Sequence, residues 1–437
     1  MAEFIEKHWR EVKSRTTLVG ADFPKGVKDF KFSIATGYGF IPIQTYFKCD
    51  LSIYSDALGT VLPVTNDNIA YADNVCGNLW NNIYFNAAGT PISQNINNFP
   101  QCDILKNRLR KSLPYNKSIG EVQGLAGHHY DRLKQLVDVY TLTNNTTVPN
   151  VDQLNSENAI KNKRNIDNNI KSFIWQPSIG IMDVAIPLGA GEYEFQLNPS
   201  QDFATAGIDT SSYFDNAATV GKIVVVDIKL YVCMCRVDIG NEPQILHLKE
   251  MDVKNANISV TAGTTSINEE FTVPSSTTDI TIFMQDILAG QNSSCPPSRF
   301  HSIYSGGDNS ATALDLRNYQ IEYAGLTKPV IRYESKYDSS LNTNQLQQRF
   351  IQSMIEYGSF FEPSGTETFE EYMERGPIFH ESFLKSADNL STRCHIIANY
   401  GTGFVTAARL FVVAHYDTTV KLTRQGGLLT NVLVQAI

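Results

Sequence analysis

Cys233 and Cys235 stand two apart in KIVVVDIKLYVCMCRV, so on a strand both sulfurs lie on one face, as the first two ligands of a thiolate metal site would. No second Cys-x-Cys or Cys-x-x-Cys completes such a site, and His395 beside Cys394 is isolated. The pair therefore reads as small side chains packed on a sheet. His128-His129-Tyr130-Asp131 has the composition of a metal or acid–base site. Adjacent histidines diverge on a helix and on a strand alike, so they do not converge on one ion. His380-Glu381-Ser382 has the composition of a hydrolytic triad, but no Gly-x-Ser-x-Gly elbow exposes a nucleophile. Gly189-Ala190-Gly191 precedes a strand pattern rather than a helix, so it is no dinucleotide fingerprint. There is no Gly-x-x-x-x-Gly-Lys-Ser/Thr loop. The acidic candidates Glu269-Glu270, Asp315 and Glu370-Glu371 share no spacing that would pair carboxylates across a substrate. The expectation is no catalytic centre, no metal site and no bound cofactor.

Composition narrows the classes further. The 437 residues are 42% apolar and 11% aromatic, enough for two real cores. A net charge of −9 argues against a nucleic-acid coat, and the basic runs Lys106 to Lys111 and Lys161 to Lys171 read as solvated faces. No apolar run of about 18 residues is present, so no membrane span is expected. The amphipathic start MAEFIEKHWREVK does not read as a signal peptide. With seven cysteines this points to free thiols in a reducing compartment, where the sequon Asn144-Asn145-Thr146 would be idle.

The elements are mostly strands. In the stretch from Lys222 to Val237, Val224, Val226, Ile228, Leu230, Val232 and Met234 alternate with Asp227, Lys229 and Tyr231, which predicts a long strand with one dry face. A second long strand is expected at Phe404 to Asp417, with Leu410, Val412 and Ala414 on one side and Arg409, His415 and Asp417 on the other. Ile43 to Tyr54, Leu79 to Phe85, Ser172 to Leu188, Glu192 to Asn198, Asn257 to Thr261, Asn268 to Val273, Asp279 to Ile287, Leu314 to Tyr323 and Thr392 to Asn399 are further strand candidates. Helices are expected at 3 to 14 (stripe Phe4, Ile5, Trp9, Val12), 103 to 113, 125 to 140, 342 to 357 (stripe Leu346, Phe350, Met354, Tyr357) and 366 to 375. Residues 141 to 169 form a polar, Asn-rich connection.

Parts of this pattern occur twice. Ile228 and Ala408, the centres of the two long strands, are 180 residues apart. IYFNAAGTPI (Ile83 to Ile92) resembles IEYAGLTKPV (Ile321 to Val330), with glycines 236 apart. An insertion of 56 residues, near 115 to 170, would reconcile the two spacings. The domain expectation is an N-terminal arm with a short helix (1 to 37), a first β-unit (38 to 240) with that insertion, and a second (243 to 437) beyond Gly240 to Pro243.

Four stretches together carry a resemblance. GFIPIQTYFKCDLSIYS (Gly39 to Ser55), NLWNNIYFNAAGTPIS with NFPQCDILKNRLRKSL, KIVVVDIKLYVCMCRV, and FVTAARLFVVAHYDTTVKLTRQGG resemble the double jelly-roll major capsid proteins of the adenovirus, virophage and polinton-like virus lineage. Gly39 to Ser55 looks like the opening strand of the first jelly roll there, and the last two stretches like closing strands. The resemblance implies an all-β fold of two eight-stranded antiparallel sandwiches side by side with a few short helices. It further implies a structural, non-enzymatic protein of the virion, assembled inside the host cell. Its partners would be two more copies in a pseudo-hexagonal homotrimer, neighbouring capsomers, and minor capsid or penton proteins, with no specific nucleic acid. It also implies an N-terminal arm directed to the shell interior, so that removing residues 1 to 15 would spare trimers but impair shells. Two alternatives stand beside it: a carbohydrate-binding or glycan-processing β-sandwich, which would want an aromatic cleft with paired carboxylates, and a single jelly roll joined to an unrelated domain, which the repeat opposes.

Overall fold

The computed structural model describes residues 6–16, 26–62, 70–110, 119–124, 171–200, 207–209, 221–237, 239–258, 266–286, 316–330, 345–357, 369, 372, 378–383, 390–400 and 408–436. In chain order the first half supplies β1 (Lys7–Lys13), β2 (Lys28–Ile34), β3 (Tyr38–Phe40), β4 (Tyr46–Tyr54), β5 (Ala70–Tyr71), β6 (Trp80–Ala87), β7 (Thr90–Asn95), β8 (Lys171–Trp175), β9 (Gly191–Pro199), β10 (Ile208–Asp209) and β11 (Lys222–Arg236). The second half supplies β12 (Gln244–Ile258), β13 (Ser266–Thr272), β14 (Thr277–Asp286), β15 (Leu316–Tyr323), β16 (Leu326–Lys328), β17 (Phe379–Ser382), β18 (Arg393–Tyr400), β19 (Ala408–Gln425) and β20 (Leu428–Ala436). Helices α1 (Val75–Asn78), α2 (Phe99–Arg110), α3 (Ile119–Gln123) and α4 (Gln345–Glu356) lie in the connections.

The strands form two sandwiches of one topology. The first has sheets β1-β11-β4-β8 and β2-β9-β6-β7, and the second β12-β19-β14-β17 and β13-β18-β15-β16, all antiparallel. Setting aside β3, β5, β10 and β20 and counting eight strands in each half, both sandwiches read 1-8-3-6 facing 2-7-4-5. This is jelly-roll order, and it appears twice. The paired turns agree: Ala88 and Gly89 have φ of 47° and 78°, and Ala324 and Gly325 have 55° and 79°. Both central residues of these hairpins are left-handed, as a type I′ turn requires.

Several expectations need correction. The stretch at 7–13 is a strand, not a helix, and every residue of β1 pairs with β11, from Lys7 opposite Cys235 to Lys13 opposite Lys229. A helix of a dozen residues is marginal alone, whereas the free edge of a long strand offers a full row of unpaired backbone groups. Of the expected stripe, Val12 is buried and Trp9 is 51% exposed, while Phe4 and Ile5 lie outside the described residues. Since β1 and β2 are the first two strands of the first sandwich, the stretch before residue 38 is no separate arm. Gly39 to Ser55 therefore holds the third strand, not the opening one, and that strand begins at Tyr46 after a 3-10 turn at Pro42–Gln44.

In β11 the pairing register shifts between Val225 and Asp227. This bulge places one extra residue in the strand and reverses its alternation. Ile223 and Val225 face the core before it, and Ile228, Leu230, Val232 and Met234 after it, so Val224 and Val226 are outward, contrary to strict alternation. In β19 both sides of 410–415 are buried, His415 included. Helix 366–375 has two described residues, Phe369 and Tyr372, both helical. The helix expected at 125–140 and the connection at 141–169 lie outside the described residues.

The cores are not divided as the sheets are. One holds the first sandwich together with Leu246, Leu248, Val420, Leu422 and Leu429. The other holds the second sandwich together with Cys102, Ile104, Leu105 and Leu109 of α2. The β12–β19 ribbon, paired without a break from Gln244–Leu422 to Ile258–Ala408, thus enters both cores.

Deleting residues 1–15 should destabilise the monomer rather than spare it. Loss of a sandwich strand and of buried Val12 should cost on the order of 3 kcal/mol or more, read as a lower denaturant midpoint. An unchanged midpoint would show that β1 contributes nothing to the fold.

Candidate functional site

The candidate site is the junction between the two sandwiches. Helix α2 leaves β7 and is held from two sides. Phe99 packs edge-on against Trp175 of β8, with ring centroids 5.9 Å apart. Asp103, fully buried, accepts from Trp175 Nε1 at 3.1 Å and from the Ser178 backbone N–H at 2.9 Å. Burial raises the Asp103 carboxyl above its ordinary range, while these donors pull it back down. On the opposite side of the helix Leu105 and Leu109 enter the second core, and Gln101 Nε2 donates to Gln285 Oε1 of β14 at 3.2 Å. Lys106 pairs with Asp183 at 2.8 Å, and Arg108 is buried, so these two members of the basic run are not the solvated face its composition suggested; Lys111 lies outside the described residues.

Glu250 sits where β12 passes from one core to the other. Its Oε1 accepts from Ser93 Oγ of β7 at 2.5 Å, and its Oε2 from the Gly180 backbone N–H at 3.1 Å. Ser93 Oγ in turn accepts from the Ile181 N–H at 3.0 Å. Gly180 is required by closeness: a Cβ there would stand 2.5 Å from Glu250 Oε1 and 2.9 Å from the Lys249 carbonyl oxygen. Burial pushes the Glu250 carboxyl up to about 7, against the pull of Ser93, Gly180 and Lys106. Two donors, one on each oxygen, fit a carboxylate. The dry surroundings favour the acid, so both forms are populated near neutrality.

A second buried network ties β14, β17 and β19. Asp279 Oδ1 lies 3.5 Å from His380 Nε2. His380 Nδ1 and His415 Nε2 each lie 2.8 Å from Thr281 Oγ1. One hydroxyl supplies one proton, so one imidazole receives it and the other donates to the oxygen. If His380 donates from Nε2 to Asp279 and accepts from Thr281 at Nδ1, then His415 donates from Nε2 to the same hydroxyl oxygen. Burial alone would raise the Asp279 carboxyl, but His380, Thr278 and Lys249 outweigh it and hold it well below the usual range. The order carboxylate, imidazole, hydroxyl matches a catalytic triad, yet Thr281, His380 and His415 are all buried, so no nucleophile is presented. Next to it, buried Arg349 of α4 donates to Glu381 of β17 at 3.2 Å, and Tyr319 Oη donates to the same oxygen at 2.6 Å.

The residues singled out in the sequence fall as follows. Cys233 and Cys235 share one face and are buried with Ile41 and Val237, with Cys233 Sγ 3.3 Å from Gln44 Oε1 and Cys235 Sγ 3.6 Å from the Gly39 oxygen. Cys394 points into the second core and its thiol is pushed up to about 12 by burial, whereas His395 points outward to Glu322 and Asn268. His380 and Glu381 point to opposite faces of β17, His380 to Thr281 and Glu381 to Tyr319. Gly189 and Gly191 lead into β9 and face Arg424 and Leu429. Glu269 and Glu270 lie on exposed positions of β13. His128, His129, Asp315, Glu370 and Glu371 lie outside the described residues. Among the described residues no three His, Cys, Asp or Glu converge to hold a metal ion, and no helix is long and apolar enough to cross a membrane. The six described cysteines are free and buried.

Sequence reading missed Asp103, Glu250, Asp279, Thr281 and Arg349. Glu250 had a signal: it shares strand parity with Leu246 and Leu248, an acid on the apolar side.

The fold defined by this geometry is the double jelly roll, and solved viral structures share it. A chain of the Sputnik virophage aligns with a TM-score of 0.62 at 9% identity, covering 99% of this chain and 89% of that one. The mavirus major capsid protein aligns with 0.55 at 9%, covering 98% and 90%. A chain of the PBCV-1 virus capsid aligns with 0.52 at 12%, covering 98% of each. No protein-family model and no curated protein matches the chain. Shared fold at this identity means shared strand order and layer arrangement, and this chain has both along nearly its full length.

Two outcomes test the buried networks. Because the Glu250 carboxyl is raised in the folded state above its ordinary 4.5, its contribution to stability is full below pH 4.5 and is lost as pH rises through about 7. A fall of about 2.5 kcal/mol between pH 5 and pH 8 is expected in urea unfolding, and it should vanish in Glu250→Gln. Thr281→Val should cost about 2–3 kcal/mol at neutral pH, since it strands two imidazole nitrogens in the core.

Proposed function

We propose that this chain is a major capsid protein. Three copies form a pseudo-hexagonal tile of an icosahedral shell, and the chain has no catalytic centre. The observation that carries this reading is the repetition of one eight-stranded topology within a single chain. Three chains then supply six similar wedges, which lets a threefold assembly fill a nearly hexagonal cell. The reading is supported by the fold shared with the mavirus major capsid protein over 98% of this chain. We divide the chain at Gly240 to Pro243, with the first jelly roll starting at β1. Its partners are other copies, neighbouring tiles and minor or penton proteins, and its place is the virion.

The buried networks fit a scaffold. Each hydroxyl or carboxylate that imitates catalytic chemistry is sealed and used to hold strands together. Purified protein should run as a trimer of about three times 48.7 kDa in light scattering and show hexagonal outlines in negative stain. Hydrolase, nuclease and ATPase assays should be blank. A monomer at all concentrations, or turnover abolished by His380→Ala, would overturn the proposal.

A further inference from the structure

Helices α2 and α4 occupy the same place in the two sandwiches, each joining the fifth strand to the sixth. Adding 246 to a number in α2 gives its counterpart in α4: Asp103 becomes Arg349, Leu105 becomes Ile351 and Leu109 becomes Ile355. The correspondence holds in three dimensions. Asp103 is the buried charge that ties α2 to Trp175 on the sixth strand of its own sandwich. Arg349 is the buried charge that ties α4 to Glu381 on the sixth strand of its own.

The other sides of the two helices differ in what covers them. Leu105 and Leu109 are buried in the core of the neighbouring sandwich. Ile351 and Ile355, at the same positions, are each 43% exposed. Gln347, Gln348 and Gln352 flank them, all exposed and uncharged.

The sheets show the matching difference. On the second sandwich the face of β14 and β19 turned away from its own partner sheet carries Phe283 and Phe411, stacked at 5.1 Å and buried, and Gln285, which meets α2. On the first sandwich the segment 41–44 covers Cys233 on the corresponding outer face of β1-β11-β4-β8, and the rest of that face is half-exposed. Cross-strand rows there bring together Trp9 with Cys233, Glu11 with Tyr231 and Tyr46, and Lys13 with Lys229 and Lys48. Tyr46 and Tyr231 stack at 5.4 Å, and Glu11 pairs with Lys229 at 3.4 Å.

We propose that α4 of one copy docks through Ile351 and Ile355 onto the outer face of the β1-β11-β4-β8 sheet of a second copy, around Trp9 and the Tyr46–Tyr231 pair. The contact repeats between copies what α2 does within one, so each copy offers a helix on one side and a sheet on the other. Such a head-to-tail contact builds a ring when its rotation closes. The amide-flanked isoleucine stripe sets no like charge against Glu11, Lys229 or Lys48, and over the Trp9, Tyr46 and Tyr231 rings it gains from apolar burial. This inference rests on the assembly reading above and names the surface through which copies join.

The test compares the full-length chain with Ile351→Glu/Ile355→Glu, with the milder Ile351→Gln/Ile355→Gln, and with Trp9→Glu/Tyr46→Glu. All four should share the thermal midpoint within a few degrees, because none of the altered side chains lies in either core. Light scattering should show the unaltered chain as an oligomer and both Glu variants at the mass of a single chain, 48.7 kDa. The Gln variant should associate about 100-fold more weakly or worse. An oligomer that survives both Glu variants overturns this surface while leaving assembly itself standing. Loss of the oligomer in the helix variant but not in the sheet variant also overturns it, since α4 would then dock elsewhere. A monomeric unaltered chain overturns both this proposal and the assembly reading.

Discussion

Everything in this molecule hangs on one ribbon that belongs to two cores. β12 and β19 pair along their full shared length, and the pairing does not pause where the surroundings change from one sandwich to the other. Leu246, Leu248, Val420 and Leu422 belong to the first core, and Met251, Val253, Leu410 and Val412 to the second. A strand pair is stiff along its hydrogen-bond ladder, so the angle between the sandwiches is set by the ribbon and not by a hinge. The linker at 237–243 only has to bring the chain to the start of β12.

A purely apolar ribbon would leave the sliding position of the two sandwiches loosely specified. The buried polar contacts fix it. Glu250 receives donors from Ser93 and Gly180 at the one point where the ribbon crosses between cores, and α2 is clamped by Asp103 on one side and Gln101 on the other. Such contacts add little net energy, because desolvation offsets the attraction, but a shifted register would leave a buried charge unpaired. Their worth is in rejecting wrong arrangements.

The alternation of apolar and polar residues in β4, β9, β15 and β18 was legible, because those strands bury one face each, and the Ala-Gly turns were legible because only a few residues accept φ > 0. The duplication followed from them. The role of Lys7–Lys13 was not legible: the pattern of Trp9 and Val12 fits a helix locally, and its partner β11 lies more than 200 residues away. The bulge at Val226 was hidden for a similar reason, since a run of valines looks the same with either face inward. The junction escaped because long-range pairing, not local sequence, decides that Glu250, Ser93 and Gly180 meet. Composition pointed to no catalytic signature among the motifs, and it could not see that Asp279, His380 and Thr281 would line up in the core.

The shared ribbon also sets a clock. Val420, Leu422 and Leu429 complete the core of the first sandwich, yet Val420 is made 184 residues after Arg236, where that sandwich's own last strand finishes. At a synthesis rate of about 5–20 residues per second, the first sandwich waits roughly 10–40 s on the ribosome with one end of its core open. A nascent chain in that interval has no finished junction and no settled angle between its halves. The two halves can take their fixed angle only once translation has passed β19, so the whole-chain shape is set by timing as well as by contacts.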